Sequence, residues 1–382
     1  MSAISAVALA AIACGGGGGG ARSEVEVRAA VAETVANIAE AAYADSVADA
    51  QSLGSALQAL IANPSDTSLN AARQAWLAAR PRYLQTEVFR FYDGPIDNPA
   101  NGPEGLINAW PLDEFYIDYV AGDEDAGIVN DPAQPINKAA LEGLNEAGGE
   151  KNIATGYHAL EFLLWGQDLD DNGPGARPFT DYLVGSGRAN ADRRGQYLTT
   201  VNDLLIDNLR QVADEWDGAQ AGNFRTQFLA DPDQALQNTL VGMYFLAVFE
   251  TGGERLRPAL ELGQEEEHSC FSDNTNVDHL EDIRGIKNLY DGRYTRRDGS
   301  VVSGAGIRDA VAFRDQAQAD ALGNAIDAAL AAAEALQPTF DREIVSVAGR
   351  ARINALIDAL EAVGTAMEPV FVSFGFSVPT SE

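Results

Sequence analysis

The sequence predicts an all-α protein in which two helical bundles pack together with a cleft between them. Apolar residues recur at three- and four-residue steps along several Ala-rich segments, which is the spacing of one helix face. Helix breakers such as Gly94-Pro95 and Asp131-Pro132 separate these segments, and convincing runs of alternating apolar and polar residues are few. Ala-rich helices joined by short loops are typical of bundles. The 46% hydrophobic content supplies ample material for a core.

The helical periodicity is clearest in four segments, which follow one another along the chain as residues 71–83, 201–216, 322–336 and 353–363. Pro338 interrupts the pattern between the last two segments. We therefore expect two antiparallel helices that are joined near residues 337–339. The candidates for short strands are residues 300–302 and the apolar tail at residues 369–373.

The chain is predicted to have three parts. Residues 1–22 form a lipoprotein-type signal segment and glycine tether, residues 23–218 an N-terminal helical domain, and residues 219–382 a C-terminal helical-bundle domain. The boundary between the two folded domains is placed in the small, polar, glycine-bearing segment 217–222. A length of 382 residues fits two domains of ordinary size.

The excess of acidic residues indicates which classes of binding partner to expect. Lysine and arginine number 26 against 57 aspartates and glutamates, which gives a formal net charge of −31. A surface this acidic repels phosphate backbones, so we expect no nucleic-acid partner and an attraction for cations. Three histidines and two cysteines are too few for a zinc ribbon or a disulfide framework.

The N-terminus has the pattern of a targeting segment. Residues 1–13 are an apolar run of small residues that ends at Cys14, and glycines fill positions 15–20. The run is too short to span a membrane as a helix. It resembles the lipobox of bacterial lipoprotein signal peptides, which implies cleavage before Cys14, a diacylglyceryl anchor on its sulfur and a flexible glycine tether. The alternatives are a secretory signal with a chance cysteine and a mis-assigned start codon.

The stretch Gly156-Tyr157-His158-Ala159-Leu160-Glu161 is the strongest candidate for chemistry. Residues three apart share one face of a helix, so His158 and Glu161 can point at one ion. An imidazole and a carboxylate together suit iron, zinc, copper or manganese. Gly156 would allow a close approach of another backbone. The alternative is a buried histidine that is hydrogen-bonded to a carboxylate.

Two ligands make a poor site, so a metal centre needs donors from elsewhere in the chain. Glu87 lies in an otherwise aromatic stretch, and Asp113 precedes Glu114 at a predicted helix start. Both are candidate metal ligands. The alternatives are that Glu87 pairs with Arg90 and that Asp113 is favoured by the dipole of the helix that it begins.

A second stretch, residues 265–275, is unusually dense in polar and reactive side chains. It contributes candidate cleft residues on a loop that could meet the N-terminal domain, namely His268, Ser269, Cys270 and Asp273. The alternative is a helix terminus, because Ser272, Asp273 and Asn274 are all residue types that cap a helix, here one starting near Val277.

The acidic turn from Asp168 to Gly173 imitates the start of a calcium-binding loop. The position that should carry the bidentate glutamate is Phe179, so we expect a solvated turn. The chain also lacks the His-Glu-x-x-His motif of common zinc peptidases.

Several of these stretches together resemble the imelysin family. Its Gly-x-His-x-x-Glu signature matches Gly156, His158 and Glu161. Further stretches of similar sequence, in part resembling the iron-regulated-protein-A branch, are residues 166–169, 173–182, 253–256 and 267–275. The resemblance implies an all-α fold of two bundle-like domains, a periplasmic or surface-anchored location, a metal site at His158 and Glu161, and a link to iron acquisition. The imelysin family also carries a peptidase label.

We expect a metal-binding protein anchored in the bacterial cell envelope, at the outer membrane or the periplasmic face, that acts in iron uptake or delivery. The expected cofactor is a divalent or trivalent metal ion, iron first and zinc or copper as alternatives. The expected ligand is the metal ion or its chelate. The lipid anchor on Cys14 would hold the protein at the membrane, and an envelope transport protein is expected as a further partner. The competing hypotheses are a metallopeptidase, with Glu161 as ligand or base and Glu87, Asp113 or His268 completing the site, and an envelope binding module without a metal.

Overall fold

The structure is a computed structural model that describes residues 22–169, 173–185 and 188–380. The all-α prediction is confirmed. The helices of this part of the chain are α1 (Glu24–Ala62), α2 (Asp66–Leu84), α3 (Glu104–Ile107), α4 (Glu114–Ile117), α5 (Gly127–Asn130), α6 (Lys138–Leu144), α7 (Gly156–Trp165), α8 (Ala191–Trp216), α9 (Phe224–Ala230), α10 (Pro232–Phe245), α11 (Arg257–Leu262), α12 (Thr275–Asp291), α13 (Ile307–Arg314), α14 (Gln316–Glu334), α15 (Phe340–Val345) and α16 (Val347–Phe374).

Short irregular and extended segments complete the described chain. A π-helical segment, Leu246–Leu256, connects α10 directly to α11. Two strands, β1 (Arg293–Thr295) and β2 (Val301–Ser303), pair antiparallel as a hairpin, in agreement with the strand expected near residues 300–302. Single turns of 3₁₀-helix lie at Glu87–Phe89, Phe179–Tyr182, Gln264–Glu266 and Cys270–Ser272.

The long helix α1 contacts more of the other long helices than any other element of the described chain. It begins with a capping box, in which the Ser23 hydroxyl accepts from the backbone N–H of Glu26 and the Glu26 carboxylate accepts from the backbone N–H of Ser23. The helix packs against α2, α8, α9, α10 and α13. Its buried residues belong to one continuous hydrophobic core. The predicted division after residue 218 falls in the turn between α8 and α9 and stays a prediction.

Helices cover the four periodic segments. The helices α14 and α16 pack on each other, and the chain is non-helical at residues 335–339, where the sequence predicts their junction; the short helix α15 follows before α16 begins. The strand expected at residues 369–373 is wrong, because α16 runs to Phe374. Met367, Val370, Phe371 and Phe374 are buried at helical spacing, while Val372 is 67% exposed.

Two sequence predictions concern residues outside the described ranges. These are the signal segment with Cys14 and its glycine tether, and most of the acidic turn that follows Asp168. Among the described helices, none combines the length and the apolar character that crossing a bilayer requires.

Candidate metal centre

Helix α7 carries His158 and Glu161 into the interior. It begins at Gly156, whose φ of +82° is one that L-residues rarely adopt, and a Cβ atom there would lie 2.5 Å from the carbonyl oxygen of Ile107. The backbone approach expected from the sequence is therefore confirmed. All ten residues of α7 are buried, and the helix packs against α2 and α8. The motif glycine thus allows α7 to start against the α3 segment and to point its polar residues inward.

His158 and Glu161 face each other, and each is 0% exposed. The Nδ1 atom of His158 lies 2.9 Å from Oε2 of Glu161. The other carboxylate oxygen of Glu161 accepts hydrogen bonds from the backbone N–H of Ser272 at 3.0 Å and from its hydroxyl at 2.7 Å. The Nε2 atom of His158 is buried and has no hydrogen-bond partner among the described residues. Glu161 therefore orients the imidazole, and Nε2 remains available to a ligand.

A second histidine stands beside the first. The ring centroids of His158 and His268 are 4.7 Å apart and the rings are inclined by 70°. The Nδ1 atom of His268 lies 2.8 Å from Oδ2 of Asp278. Trp110 packs against both rings, with centroids 4.9 Å from His158 and 6.4 Å from His268. Each imidazole of this histidine pair thus has its Nδ1 atom on a buried carboxylate, an arrangement that fixes the orientation of metal-binding histidines.

Compared with Glu161, the other carboxylate of the centre, Asp278 accepts hydrogen bonds from more side chains. Its donors other than His268 are the Arg80 guanidinium at 2.9 Å, the Ser269 hydroxyl at 2.5 Å and the Asn274 amide at 3.0 Å. Arg80 is itself 0% exposed and stacks on Tyr157. The buried ion pair of Arg80 and Asp278 joins α2 to the first turn of α12.

Burial and neighbouring charges set the protonation of these groups. Burial, reinforced by His268 and Arg80, lowers the pKa of His158 well below its usual value, and burial lowers the pKa of His268 to about 4. Burial raises the pKa of Glu161 to about 8. Burial also works to raise the pKa of Asp278, but Arg80 and then His268 outweigh it and hold that pKa well below its usual value. Both imidazoles are therefore neutral at neutral pH, which is the form that binds metals.

A cavity of about 440 Å³ reaches His268, which forms its wall together with Trp110 and other residues. Its charged residues come from both predicted domains and are Arg90, Glu104, Glu146, Glu250, Glu254, Arg255 and Glu266. Glutamates outnumber arginines in this set, so the approach to the histidines favours cations.

Comparison with known proteins identifies the family. The imelysin model, which also carries a peptidase label, matches residues 39–367. The chain belongs to the imelysin family. Iron-regulated protein A of Synechococcus elongatus is 33% identical over 123 residues, which are 32% of this chain and 27% of that protein, so the match spans about a quarter of that relative.

Two crystal structures share the fold of this imelysin-family chain. One, from Parabacteroides distasonis, carries the name iron-regulated protein A precursor; it is 19% identical, with a TM-score of 0.72 over 94% of this chain and 97% of that one. The other is an imelysin-like protein from Psychrobacter arcticum, 14% identical, with a TM-score of 0.61 over 94% of this chain and 99% of that one. At these identities the likeness establishes the imelysin fold alone.

The structure does not bring the other two predicted ligands to the imelysin motif. Glu87 is buried, but its Oε2 atom accepts from Arg90 at 2.7 Å and from Arg255 at 2.8 Å. Although burial opposes ionisation, these guanidinium groups lower the pKa of Glu87 to about 2. Asp113 is exposed and caps α4 by accepting from the backbone N–H of Phe115 at 3.1 Å. Pairing and capping, the alternatives considered for these two residues, are what the structure contains.

The stretch 265–275 leads into α12 and contacts both Glu161 and Asp278. Asn274 occupies the N-cap position of α12, in agreement with the helix-terminus alternative, although its side chain donates to Asp278 and makes no capping bond. Ser272 instead donates from its backbone N–H and its hydroxyl to Glu161. Ser269 donates to Asp278, and Cys270 is buried, with a thiol whose pKa burial raises well above its usual value.

Asp278, Arg80 and Trp110 are the residues that sequence reasoning missed. Arg80 offers the one usable signal, since it lies on the same face of α2 as the buried Trp76 and Tyr83. A guanidinium on an apolar helix face needs a buried acidic partner. Nothing in the local sequence identifies that partner as Asp278.

Asp273 belongs to a different group of side chains. One carboxylate oxygen from each of Asp168, Asp273 and Asp341 lies within 4.8 Å of the others. Within the described ranges, this is the one set of three or more histidine, cysteine, aspartate or glutamate residues with ligand atoms this close together. The histidine pair and its carboxylates do not form such a set.

Proposed function

We propose that this protein binds a metal ion, iron first, at the histidine pair His158 and His268, and that it serves iron uptake or delivery at the bacterial envelope. The observation that carries the proposal is the Nε2 atom of His158, which is buried without a hydrogen-bond partner among the described residues. A second imidazole lies 4.7 Å away, centroid to centroid, at the wall of the cavity. Leaving a buried polar atom unbound costs about 1–3 kcal/mol, and a metal ion would remove that cost.

The roles of the surrounding residues follow from their contacts. His158 and His268 would bind the ion through Nε2, because Nδ1 of each ring faces a carboxylate. Glu161 and Asp278 would orient the rings, and such outer partners typically contribute 10–100-fold to metal affinity. In this proposal Glu161 orients His158 and is not itself a ligand.

Two imidazoles leave coordination positions for donors that come with the metal. The cavity of about 440 Å³ has room for a small chelating molecule beside the histidines. Imidazole suits iron, zinc and copper alike. The name of the Synechococcus relative, iron-regulated protein A, is the reason for placing iron first.

The peptidase hypothesis is the weaker alternative. A hydrolytic zinc site has three protein ligands and an open position for water. Within the described ranges, no third histidine, cysteine or carboxylate ligand atom joins His158 and Glu161 within 4.8 Å. This favours binding over hydrolysis. Chelator-sensitive cleavage of an unfolded protein that is lost in Glu161→Ala would reverse this preference.

The envelope location rests on the N-terminal sequence. Cys14 follows an apolar run of small residues and precedes the glycine tether, so we propose a lipid anchor on its sulfur. An envelope transport protein would then receive the metal. Cys14→Ser should move the protein to the soluble fraction of the producing cell, and unchanged membrane retention would contradict the anchor.

Metal titration of the chelator-treated protein tests the proposal. Fe(II), Fe(III), Zn(II) and Cu(II) are added in turn to the wild type and to His158→Gln, His268→Gln and His279→Gln. His279 is the matched control, because it is buried and its ring nitrogens are likewise without hydrogen-bond partners among the described residues, but it packs against Phe340, 5.5 Å between ring centroids, and no carboxylate orients its Nδ1 atom. We expect one ion per chain and strong weakening in the first two variants alone. Equal affinity in all four proteins would refute the site.

A further inference from the structure

The three-carboxylate group of Asp168, Asp273 and Asp341 lies outside the proposed histidine centre. Its members come from three separate parts of the chain, namely the segment after α7, the loop before α12 and the start of α15. One oxygen from each lies within 4.8 Å of the others. Asp341 is 1% exposed, while Asp168 and Asp273 are half-buried. The group therefore has a closed side and a side that water can reach.

Glu267 supplies an independent observation that points to a ligand. Its side chain is 0% exposed, and neither carboxylate oxygen has a hydrogen-bond partner among the described residues. Its carboxyl group lies against that of Asp341, with the Thr275 hydroxyl nearby. A buried carboxylate without a donor is costly unless a proton or a cation compensates its charge.

We propose that Asp168, Asp273, Asp341 and Glu267 bind one hard divalent cation of the Ca²⁺ class, at a site separate from the histidine pair. All four donors are carboxylates, which suit calcium, magnesium and manganese and not the softer metals. Calcium binds oxygen at about 2.3–2.6 Å, so two oxygens on one ion are at most about 5 Å apart. The spacing of the three-carboxylate group, within 4.8 Å, meets this condition.

Calcium is favoured over magnesium because the ligand set is irregular. Magnesium demands near-ideal octahedral geometry, whereas calcium accepts six to eight oxygens in flexible arrangements that include water. The half-buried Asp168 and Asp273 leave room for water ligands. Asp168 also begins the turn whose sequence imitates a calcium loop but has Phe179 at the position of the bidentate glutamate. In the proposed site, acidic residues from distant segments take the place of that missing ligand.

The cation would stabilise the loop that holds the histidine centre. Asp273 belongs to the three-carboxylate group and Glu267 adjoins it beside Asp341, whereas Ser272 and Asp278, farther along the same stretch of chain, bind Glu161 and His268. A bound ion would join this loop to α15 through Asp341 and to the end of α7 through Asp168. We therefore expect calcium to stabilise the folded protein.

Calcium titration and thermal unfolding of the chelator-treated full chain test the proposal, with CaCl₂ compared to NaCl at equal ionic strength. The variants are Asp273→Asn and Asp341→Asn, with Asp358→Asn as an exposed control on α16 and His158→Gln as a control for the histidine pair. We expect one Ca²⁺ per chain and a higher Tm with calcium in the wild type and both controls. Each of the first two variants should raise the Kd at least about tenfold, because the charge of the ligand set tunes calcium affinity.

The rise in Tm that calcium causes separates a binding role from a structural one. Measured for each protein against its own Tm in chelator, this rise should be lost in Asp273→Asn and Asp341→Asn. A purely structural role predicts a lower Tm with the calcium-dependent rise retained. No calcium binding by the wild type, unchanged Kd in both variants, or preferential binding of Zn²⁺ at these residues would each overturn the proposal.

Discussion

Replacing Asp278 with asparagine removes one charge from the centre and changes its shape little. Asp278 is fully buried and accepts from four side chains, at 2.9 Å from Arg80, 2.8 Å from His268, 2.5 Å from Ser269 and 3.0 Å from Asn274. An amide has one acceptor oxygen, and its nitrogen would face donors. The substitution therefore leaves the charge of Arg80 uncompensated in the interior. It also removes the carboxylate oxygen that faces Nδ1 of His268.

The expected magnitudes follow from these contacts. Removing one partner of a buried ion pair costs about 3–5 kcal/mol, so we expect Asp278→Asn to lower the free energy of unfolding by about that amount. Loss of the group that orients a metal-binding histidine weakens metal affinity about 10–100-fold. The first effect does not depend on metal, whereas the second requires that His268 be a ligand.

Urea unfolding of the metal-free protein and metal titration of the same samples measure the two effects. Asp203→Asn is the matched control, because Asp203 is an exposed aspartate on the helix α8. The control should change the free energy of unfolding by less than about 0.5 kcal/mol. A loss below about 1 kcal/mol in Asp278→Asn would refute the buried ion pair. Unchanged metal affinity in a folded Asp278→Asn would refute the role of His268.

Three further predictions concern other parts of the site. Gly156→Ala should destabilise the protein by more than about 2 kcal/mol in urea unfolding, because the new Cβ adds the cost of a left-handed backbone conformation to a clash with neighbouring backbone. Gly143→Ala is the control and should not destabilise the protein, since nothing lies within 4 Å of its new Cβ. Equal stability of the two variants would contradict the role of Gly156. The pKa of Glu87 is lowered from its ordinary value of 4.5 to about 2, so the stability that it contributes is complete above pH 4.5 and is lost as the pH falls through 2, on the order of 3 kcal/mol. Glu87→Gln should flatten the pH dependence of unfolding in that window, and an unchanged slope would contradict the ion pairing. Ser272→Ala removes the 2.7 Å hydrogen bond from the Ser272 hydroxyl to Glu161 and should weaken metal affinity about fivefold, or about 1 kcal/mol, in titration. A loss of metal affinity as large as that in His158→Gln would mean that Ser272 does more than orient Glu161.

The sequence predicts the parts of this fold that depend on local periodicity. The helices α2, α8, α14 and α16 follow from apolar spacing, and the facing of His158 and Glu161 follows from a separation of three residues on α7. The run at residues 369–373 misled because its β-branched and aromatic residues suit a strand. Packing on the core decides otherwise, since the helical face from Met367 to Phe374 is buried.

The candidate site could be predicted only in part, because its contacts are remote in sequence. Arg80 and Asp278 are separated by 198 positions, and Glu87 and Arg255 by 168. No local pattern distinguishes a carboxylate that binds a metal from one that meets an arginine from the other half of the chain. The polar density of residues 265–275 left both a site loop and a helix terminus open, and which of its side chains reach Glu161 depends on tertiary packing.

Anomalous diffraction at the iron absorption edge, from crystals of the iron-loaded protein, would locate the metal itself. We expect one iron peak per chain within bonding distance of Nε2 of His158, with His268 as a second ligand. A peak bound by Glu161 without either imidazole, or iron found only at the carboxylates of Asp168, Asp273 and Asp341, would contradict the proposed histidine site.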